Sequence, residues 1–304
     1  MKSTSARRAA LSIAVAAALT GLAACSSSGG SDTGGKQNEG KAAGKGTTRV
    51  SPIAALRSAE QSTDKADSAK VEATTVMGSV MSLKAEGALS WSDGLGGDLT
   101  LTYTGGTVAD TMRKQLGTTS MEARYLPDAY YAKMGERFAQ QAGGKHWIRY
   151  AYDDLEKLAG SSGAYLKDQM QNTTPNQSVK LLLASGDVQK VGEETVRGVR
   201  TTHYAGTVKV ADLAAKNSDL GASRLAALRK QLEQAGVSTE TIDIWVNDQD
   251  LLVKKIEKGE MATGELTQTA YYSDYGVKVS AQEPPAGDTE DFQALLKKQG
   301  GVTS

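Results

Sequence analysis

Leu22-Ala23-Ala24-Cys25 is the stretch of this chain whose residue types and order prescribe a covalent reaction. Small side chains ahead of the scissile bond suit a peptidase that accepts only narrow residues there, and the cysteine behind it offers a thiol for diacylglyceryl transfer. The stretch follows a basic start, Lys2, Arg7 and Arg8, and an apolar run from Ala9 to Leu22. That run is too short and too rich in alanine for a membrane-spanning helix, which needs about 20 apolar residues. The order of parts is that of a bacterial lipoprotein signal: residues 1–24 are expected to be removed, and Cys25 to become the lipidated first residue. Cys25 is also the only cysteine in the 304 residues, so no intramolecular disulfide can form and the fold must be held by its core.

Other side chains able to do chemistry are sparse. The only histidines are His146 and His203, far apart in the sequence. His203 falls on the polar phase of its strand with Thr201, opposite Tyr204 and Val208, and is read as a structural strand residue. His146 beside Trp147 is read the same way. A metal site would need both histidines plus carboxylates, and no short ligand spacing supports one. Asp153-Asp154 reads as a helix cap, and Asp93 and Asp98 flank glycines without the ligand series of a calcium loop. There is no Gly-x-Ser-x-Gly elbow and no phosphate-binding glycine loop. Asn172-Thr173-Thr174 matches a glycosylation acceptor, which a bacterial export signal makes irrelevant. Tyr271, Tyr272 and Tyr275 either cover sheet surface or line the mouth of a cavity. The sequence thus predicts no enzyme, no metal and no cofactor.

The body that carries these residues is soluble in composition. Formal charge is zero over the whole chain. Loss of the three basic residues of the leader leaves the mature protein at about minus three, without the basic stripe of a nucleic-acid binder. Residues 25–48 are dominated by Gly, Ser, Thr and Lys and read as a flexible linker, whose reach is about 25 to 30 Å. Residues 49–304 are enough for one large domain.

Ser51-Pro52 is a helix start, a capping hydroxyl followed by a residue preorganised for the first turn, with Ile53, Leu56 and Ala59 on one side. Period-two alternation then dominates. Ala85, Gly87, Leu89 and Trp91 share a face and pair as a hairpin with Leu99 to Thr104. Met121 to Tyr125 and Ala129 to Lys133 form another, and Trp147 to Tyr152 follows. Val188 to Val191 and Val199 to Val210 flank a turn at Glu194 to Gly198. Ile242, Ile244 and Val246 alternate with polar neighbours, and Leu251 to Glu260 and Glu265 to Tyr272 complete about ten strands of an antiparallel sheet. Helices are predicted over Pro175 to Ala184, along Leu225, Leu228, Leu232 and Ala235, and at the end, where Asp288, Glu290 and Asp291 precede Lys297 and Lys298. Their apolar faces need the apolar face of the sheet, which gives an α+β body. With two phenylalanines and three tryptophans, the core is expected to be mostly aliphatic.

The order of several segments resembles one known family. The helix at Ser51-Pro52, Ser68-Ala69-Lys70-Val71, Tyr130-Tyr131-Ala132-Lys133-Met134, Gly144-Lys145-His146-Trp147-Ile148, Gly192 to Val199 leading to Thr202-His203-Tyr204, Ile244-Trp245-Val246-Asn247 and Tyr272 to Gly276 are similar in order to the LppX/LprG group of actinobacterial lipoproteins. The resemblance spans nearly the whole mature domain. It implies a LolA-like fold, a curved antiparallel half-barrel with helices over its concave side, around an apolar cavity that in some relatives holds acyl chains. Leu89, Leu99, Leu101, Ile242, Ile244 and Val246 are the expected cavity-lining positions.

The expectation is therefore a lipoprotein anchored on the outer face of the cell membrane through diacylglyceryl-Cys25. It would carry an acylated lipid or glycolipid, or else present a closed surface to an envelope protein partner. Two or three acyl chains make such anchoring stable at about 0.8 kcal/mol per buried methylene, where one chain would be marginal. Cys25→Ala should abolish incorporation of labelled palmitate and retain the uncleaved leader. Unchanged labelling of that variant would refute the lipidation site.

Overall fold

The computed structural model describes residues 51–155, 174–209, 226, 229, 238–261 and 264–298. The leader, the linker, the apolar positions Leu225, Leu228, Leu232 and Ala235 of the expected helix and the Asn172-Thr173 pair lie outside the described residues; Ala226 and Arg229 are helical.

Helix α1, Pro52–Lys65, starts as its sequence dictates: the Ser51 hydroxyl accepts from the Ala54 amide at 3.2 Å and proline occupies the first turn. It buries Leu56, Ala59 and Thr63. Ile53, expected on the same side, stays 37% exposed. Strands β1 (Ser68–Met77), β2 (Met81–Ser90), β3 (Gly96–Gly105), β4 (Ser120–Tyr125), β5 (Ala129–Lys133) and β6 (Trp147–Ala151) form one meander, interrupted by helices α2 (Gly106–Leu116) and α3 (Glu136–Gln141). After helix α4 (Asn176–Ser185), strands β7 (Gln189–Val196), β8 (Val199–Lys209), β9 (Thr239–Asn247), β10 (Leu252–Met261) and β11 (Gly264–Ser273) form a second. The chain ends with β12 (Thr289–Asp291) and helix α5 (Phe292–Lys298).

The two meanders join where β1 pairs with β11, giving a single open sheet of 12 strands in the order β12-β6-β5-β4-β3-β2-β1-β11-β10-β9-β8-β7. This is the expected α+β architecture, a large open antiparallel sheet with a few helices. Two strands exceed the ten read from alternation. The inward residues of β1 include Ala69, Ala73 and Thr75, whose weak contrast with their neighbours hides the period. β12 is only three residues long and pairs in parallel with β6. Asp291, expected at the start of the last helix, does cap it, its Oδ1 accepting from the Gln293 and Ala294 amides at 2.9 and 3.2 Å, although its backbone belongs to β12; buried Glu290 instead takes ion pairs from Lys145 and Lys298 at 3.1 Å each. β7 also runs on to Val196, and the turn shrinks to Arg197-Gly198.

One face of the sheet carries nearly all the apolar side chains. A continuous cluster runs from Tyr204 and Val208 on β8 to Ile148 and Tyr150 on β6. The core is mostly aliphatic, as expected, with Tyr103, Tyr130, Tyr150, Tyr152, Tyr204 and Tyr272 also buried within it. Tyrosine supplies aromatic volume that phenylalanine and tryptophan counts do not register. Tyr125, Tyr130, Tyr150 and Phe292 pack ring on ring, with centroids 4.7 to 5.8 Å apart.

Helix α4 reaches the sheet over Gly206. Its C-terminus turns through left-handed Gly186, and a Cβ on Gly206 would lie 1.7 Å from the Asp187 carbonyl oxygen. Gly206→Ala should therefore push α4 off β8 and cost about 2 kcal/mol in a denaturant titration, the scale of an overpacked core. A variant as stable as the parent would show that this loop does not press on the sheet.

Candidate functional site

Cross-strand register sorts the inner face into rows. One runs Tyr204–Ile244–Lys255–Ala270–Ala73–Ala85–Leu101–Met121. The next runs Gly206–Ile242–Glu257–Gln268–Thr75–Leu83–Tyr103. Above them lies Tyr272–Val71–Gly87–Leu99–Ala123–Ala132–Ile148.

All six positions expected to line a cavity lie on this inner face. Ile242 and Ile244 are fully buried and Val246 nearly so, on β9 where α4 packs. Leu89, Leu99 and Leu101 are at most 8% exposed. Between these two buried wings the inner face changes character. Ala73 and Thr75 on β1, Leu83 and Ala85 on β2 and Gln268 on β11 remain half-exposed. Ala73, Thr75 and Ala85 are small, and the centre of the inner face is a partly covered strip, apolar at Ala73, Leu83 and Ala85, that forms a shallow trough between the wings. The sequence carried a signal for it, the alternation through Ala85 and Gly87, but alternation reports which face a residue is on and not whether a helix covers it.

A polar cluster borders the trough on the side of β9 and β10. Lys255, 6% exposed, donates from Nζ to Ser178 Oγ on α4 at 2.7 Å and to Glu257 Oε2 at 3.0 Å. Ser178 Oγ in turn donates to Glu257 Oε1. Gln268 Nε2 donates to Thr75 Oγ1 at 3.3 Å. Burial alone would depress the Lys255 ammonium, but Glu257, Tyr272 and Glu240 around it outweigh burial and hold its pKa above the ordinary lysine value. Glu240, on the same face of β9, has a buried Oε2 with no hydrogen-bond partner. Burial first, and repulsion from Glu257 second, push its carboxyl well above the carboxylate range, against the pull of Lys255. None of these residues stood out in the sequence. Lys254 and Lys255 are adjacent, and a register irregularity between Leu252 and Lys254 decides which of them points inward.

The histidines sit away from the trough, each among carboxylates. His203 is on the outer face, stacked on Trp245 at 4.1 Å, with Nε2 2.7 Å from Asp243 Oδ1. His146 bridges Asp288 Oδ1, at 2.7 Å from Nδ1, and Glu136 Oε1, at 3.1 Å from Nε2. It thereby fastens the segment leading into β12 to the first residue of α3. Tyr271 faces outward beneath the Arg197 guanidinium at 3.7 Å, Tyr272 faces inward and is buried, and the Tyr275 hydroxyl donates to the Leu252 carbonyl. Among the described residues no group of three or more metal-ligating side chains occurs, and no helix is long and apolar enough to cross a membrane.

The His146 contact has a defined pH signature. Hydrogen bonds to Asp288 and then Glu136 raise its pKa above 6.5, and the same contact lowers that of Asp288. A raised imidazole pKa contributes stability fully below the unfolded value and loses it as pH rises through the folded value; the lowered Asp288 loses its share as pH falls through its own folded value. The melting temperature of the parent should exceed that of His146→Gln most near about pH 5 to 6, and the gap should shrink towards about pH 9. A gap independent of pH would mean that the imidazole acts only by its shape.

No family model matches this chain. A 31.2 kDa protein of the rplA–rplJ intergenic region of Streptomyces griseus is 59% identical over 256 residues, 84% of each chain. A Streptomyces coelicolor protein described as a "putative lipoprotein" is 53% identical over 311 aligned positions, covering 99% of this chain and all of that one. Among solved structures, Mycobacterium tuberculosis lipoprotein LppX aligns at 15% identity and a TM-score of 0.47, over 76% of this chain and 98% of its own. LprF from Mycobacterium bovis aligns at 14% identity and 0.46, over 77% of this chain and 96% of its own. With more than half its residues identical to the Streptomyces coelicolor protein over nearly the full length of both, this chain belongs to the family of that Streptomyces lipoprotein.

Proposed function

We propose that this protein is a membrane-anchored extracytoplasmic lipoprotein whose inner sheet face binds an acylated lipid. Its parts, in this reading, are a leader at residues 1–24, a lipidated linker at 25–48 and a lipid-binding domain at 49–304. The anchor rests on the Leu22 to Cys25 signal and on the name borne by the Streptomyces coelicolor relative. The binding face rests on one observation: Ala73, Leu83 and Ala85 face inward from the centre of an apolar face, yet stay half-exposed between buried wings. A contiguous apolar surface of that kind marks a place where something apolar docks. Each methylene laid against it gains about 0.8 kcal/mol, so a long acyl chain is a suitable partner. Leu89, Leu99, Leu101, Ile242, Ile244 and Val246 form the walls around that floor and the rigid backing behind it. No cofactor enters this function, and no step of it needs bond chemistry from the protein.

The test is extraction. Residues 49–304, expressed in a Streptomyces host and purified without detergent, should release a near-stoichiometric acylated species into organic solvent, identified by mass spectrometry. Ala85→Trp, which fills the trough with an indole, should release several-fold less while keeping its circular dichroism spectrum. A clean extract from the parent, with no uptake of a fluorescent fatty acid or phospholipid, would discard lipid binding in favour of an anchored module for an envelope protein partner.

A further inference from the structure

The lipid-binding reading leaves the polar cluster beside the trough unexplained, and its composition is specific. Glu240, Lys255 and Glu257 set two carboxyl groups against one ammonium, all on the inner face of β9 and β10. Lys255 and Ser178 are both committed to Glu257. Glu240 is left with a buried, unpartnered Oε2. Its direct cross-strand neighbours are Val208 on β8 and Gly259 on β10, an apolar side chain and no side chain at all. With Glu240 ionised, the cluster is one positive charge short among the described residues, and the surplus carboxylate is Glu240. Burying an unpaired carboxylate is costly, and the cost is relieved by a proton or by a second cation.

We propose that Glu240 is the headgroup subsite of the trough, taking the ammonium of a cationic amphiphile whose acyl chain lies along Thr75, Leu83, Ala73 and Ala85. The spacing suits this. Glu240 on β9 and Leu83 on β2 are four strand steps apart, about 19 Å along the sheet at the usual interstrand distance, a span that one long acyl chain covers. Gln268 and Thr75, hydrogen-bonded to each other half-way along, offer polar contacts to a linkage between head and chain. An anionic headgroup would meet two carboxyl groups, with the Lys255 ammonium, the one near them among the described residues, already engaged; a neutral one would leave an ionised Glu240 without a counter-charge. This inference rests on the lipid-binding reading and adds the sign of the ligand's charge.

The experiment uses the full lipidated chain in phosphatidylcholine vesicles, exposed in turn to photoactivatable sixteen-carbon amine, alcohol and carboxylic acid probes, with labelled peptides mapped by mass spectrometry. The amine should label peptides of β1 and β2 about tenfold more than the acid, a difference of one decade in affinity. Glu240→Gln, which keeps shape and removes charge, should bring amine and acid to near parity without loss of thermal stability. Equal labelling by amine and acid in the parent, or an unchanged preference in Glu240→Gln, would overturn the subsite while leaving lipid binding in place. Absence of trough labelling by all three probes would overturn both.

Discussion

A sheet this wide has one apolar face, and keeping that face from water is the constraint on which the other features depend. Twisted sheets of more than about ten strands curl or split. This one remains a single open layer of 12 strands. Its two meanders meet at β1 and β11 in the middle, and its edges are β12 and β7. The described helices, none longer than 14 residues, cover it unevenly: α4 lies on β8 and β9, α1 on α4 and β10, α2 on β2 and β3, and α5 on β6. What they leave half-covered is the centre, where the inward side chains are smallest. Cover and trough are thus two results of the same mismatch between sheet width and helix length.

The buried cluster at Lys255 is the second place where the fold departs from a simple core. Removing one partner of such a cluster is expected to cost far more than the net value of the pair, because the other charge would remain desolvated. It also links the sheet to α4 through Ser178, so the wing that covers Ile242 and Ile244 is tied by hydrogen bonds as well as by packing. Hydrogen bonds to a charged group are stronger than neutral ones and more directional. They fix how far α4 can shift over β8 and β9, and so fix one wall of the trough.

Much of this was legible in the chain. Alternation located every strand with a strong contrast between neighbours, including the hairpin of β2 and β3 and the inward set Ile242, Ile244 and Val246. The capping serine and proline located α1. What escaped the alternation were elements without contrast or length: β1, whose inward residues are largely alanine and threonine and where only the resemblance implied a strand, at Ser68 to Val71, and β12, three residues of which Asp291 also caps the last helix. Helices α2 and α3 escaped too, lying in short connections after strands that dominated the pattern. The buried tyrosines escaped for a different reason, since the same residue type also covers exposed sheet, as Tyr271 does.

By itself the sequence determined the expectation of an exported, lipidated chain, the lack of any intramolecular disulfide, the α+β class and the face on which the main apolar residues lie. These depend on residue type and on periods of two or 3.6, which are local properties. Only the tertiary structure decided which inward residues are covered, because cover comes from elements far away in sequence. It also decided the sign of the chemistry at the trough. The irregularity after Leu252 inserts one residue into β10, so that Lys255 and Glu257 share the inner face with Leu252 while Lys254 lies outside against Trp245. Because side chains alternate strictly along a strand, a single inserted residue exchanges the two faces, and only the partner strand reveals where that exchange takes place.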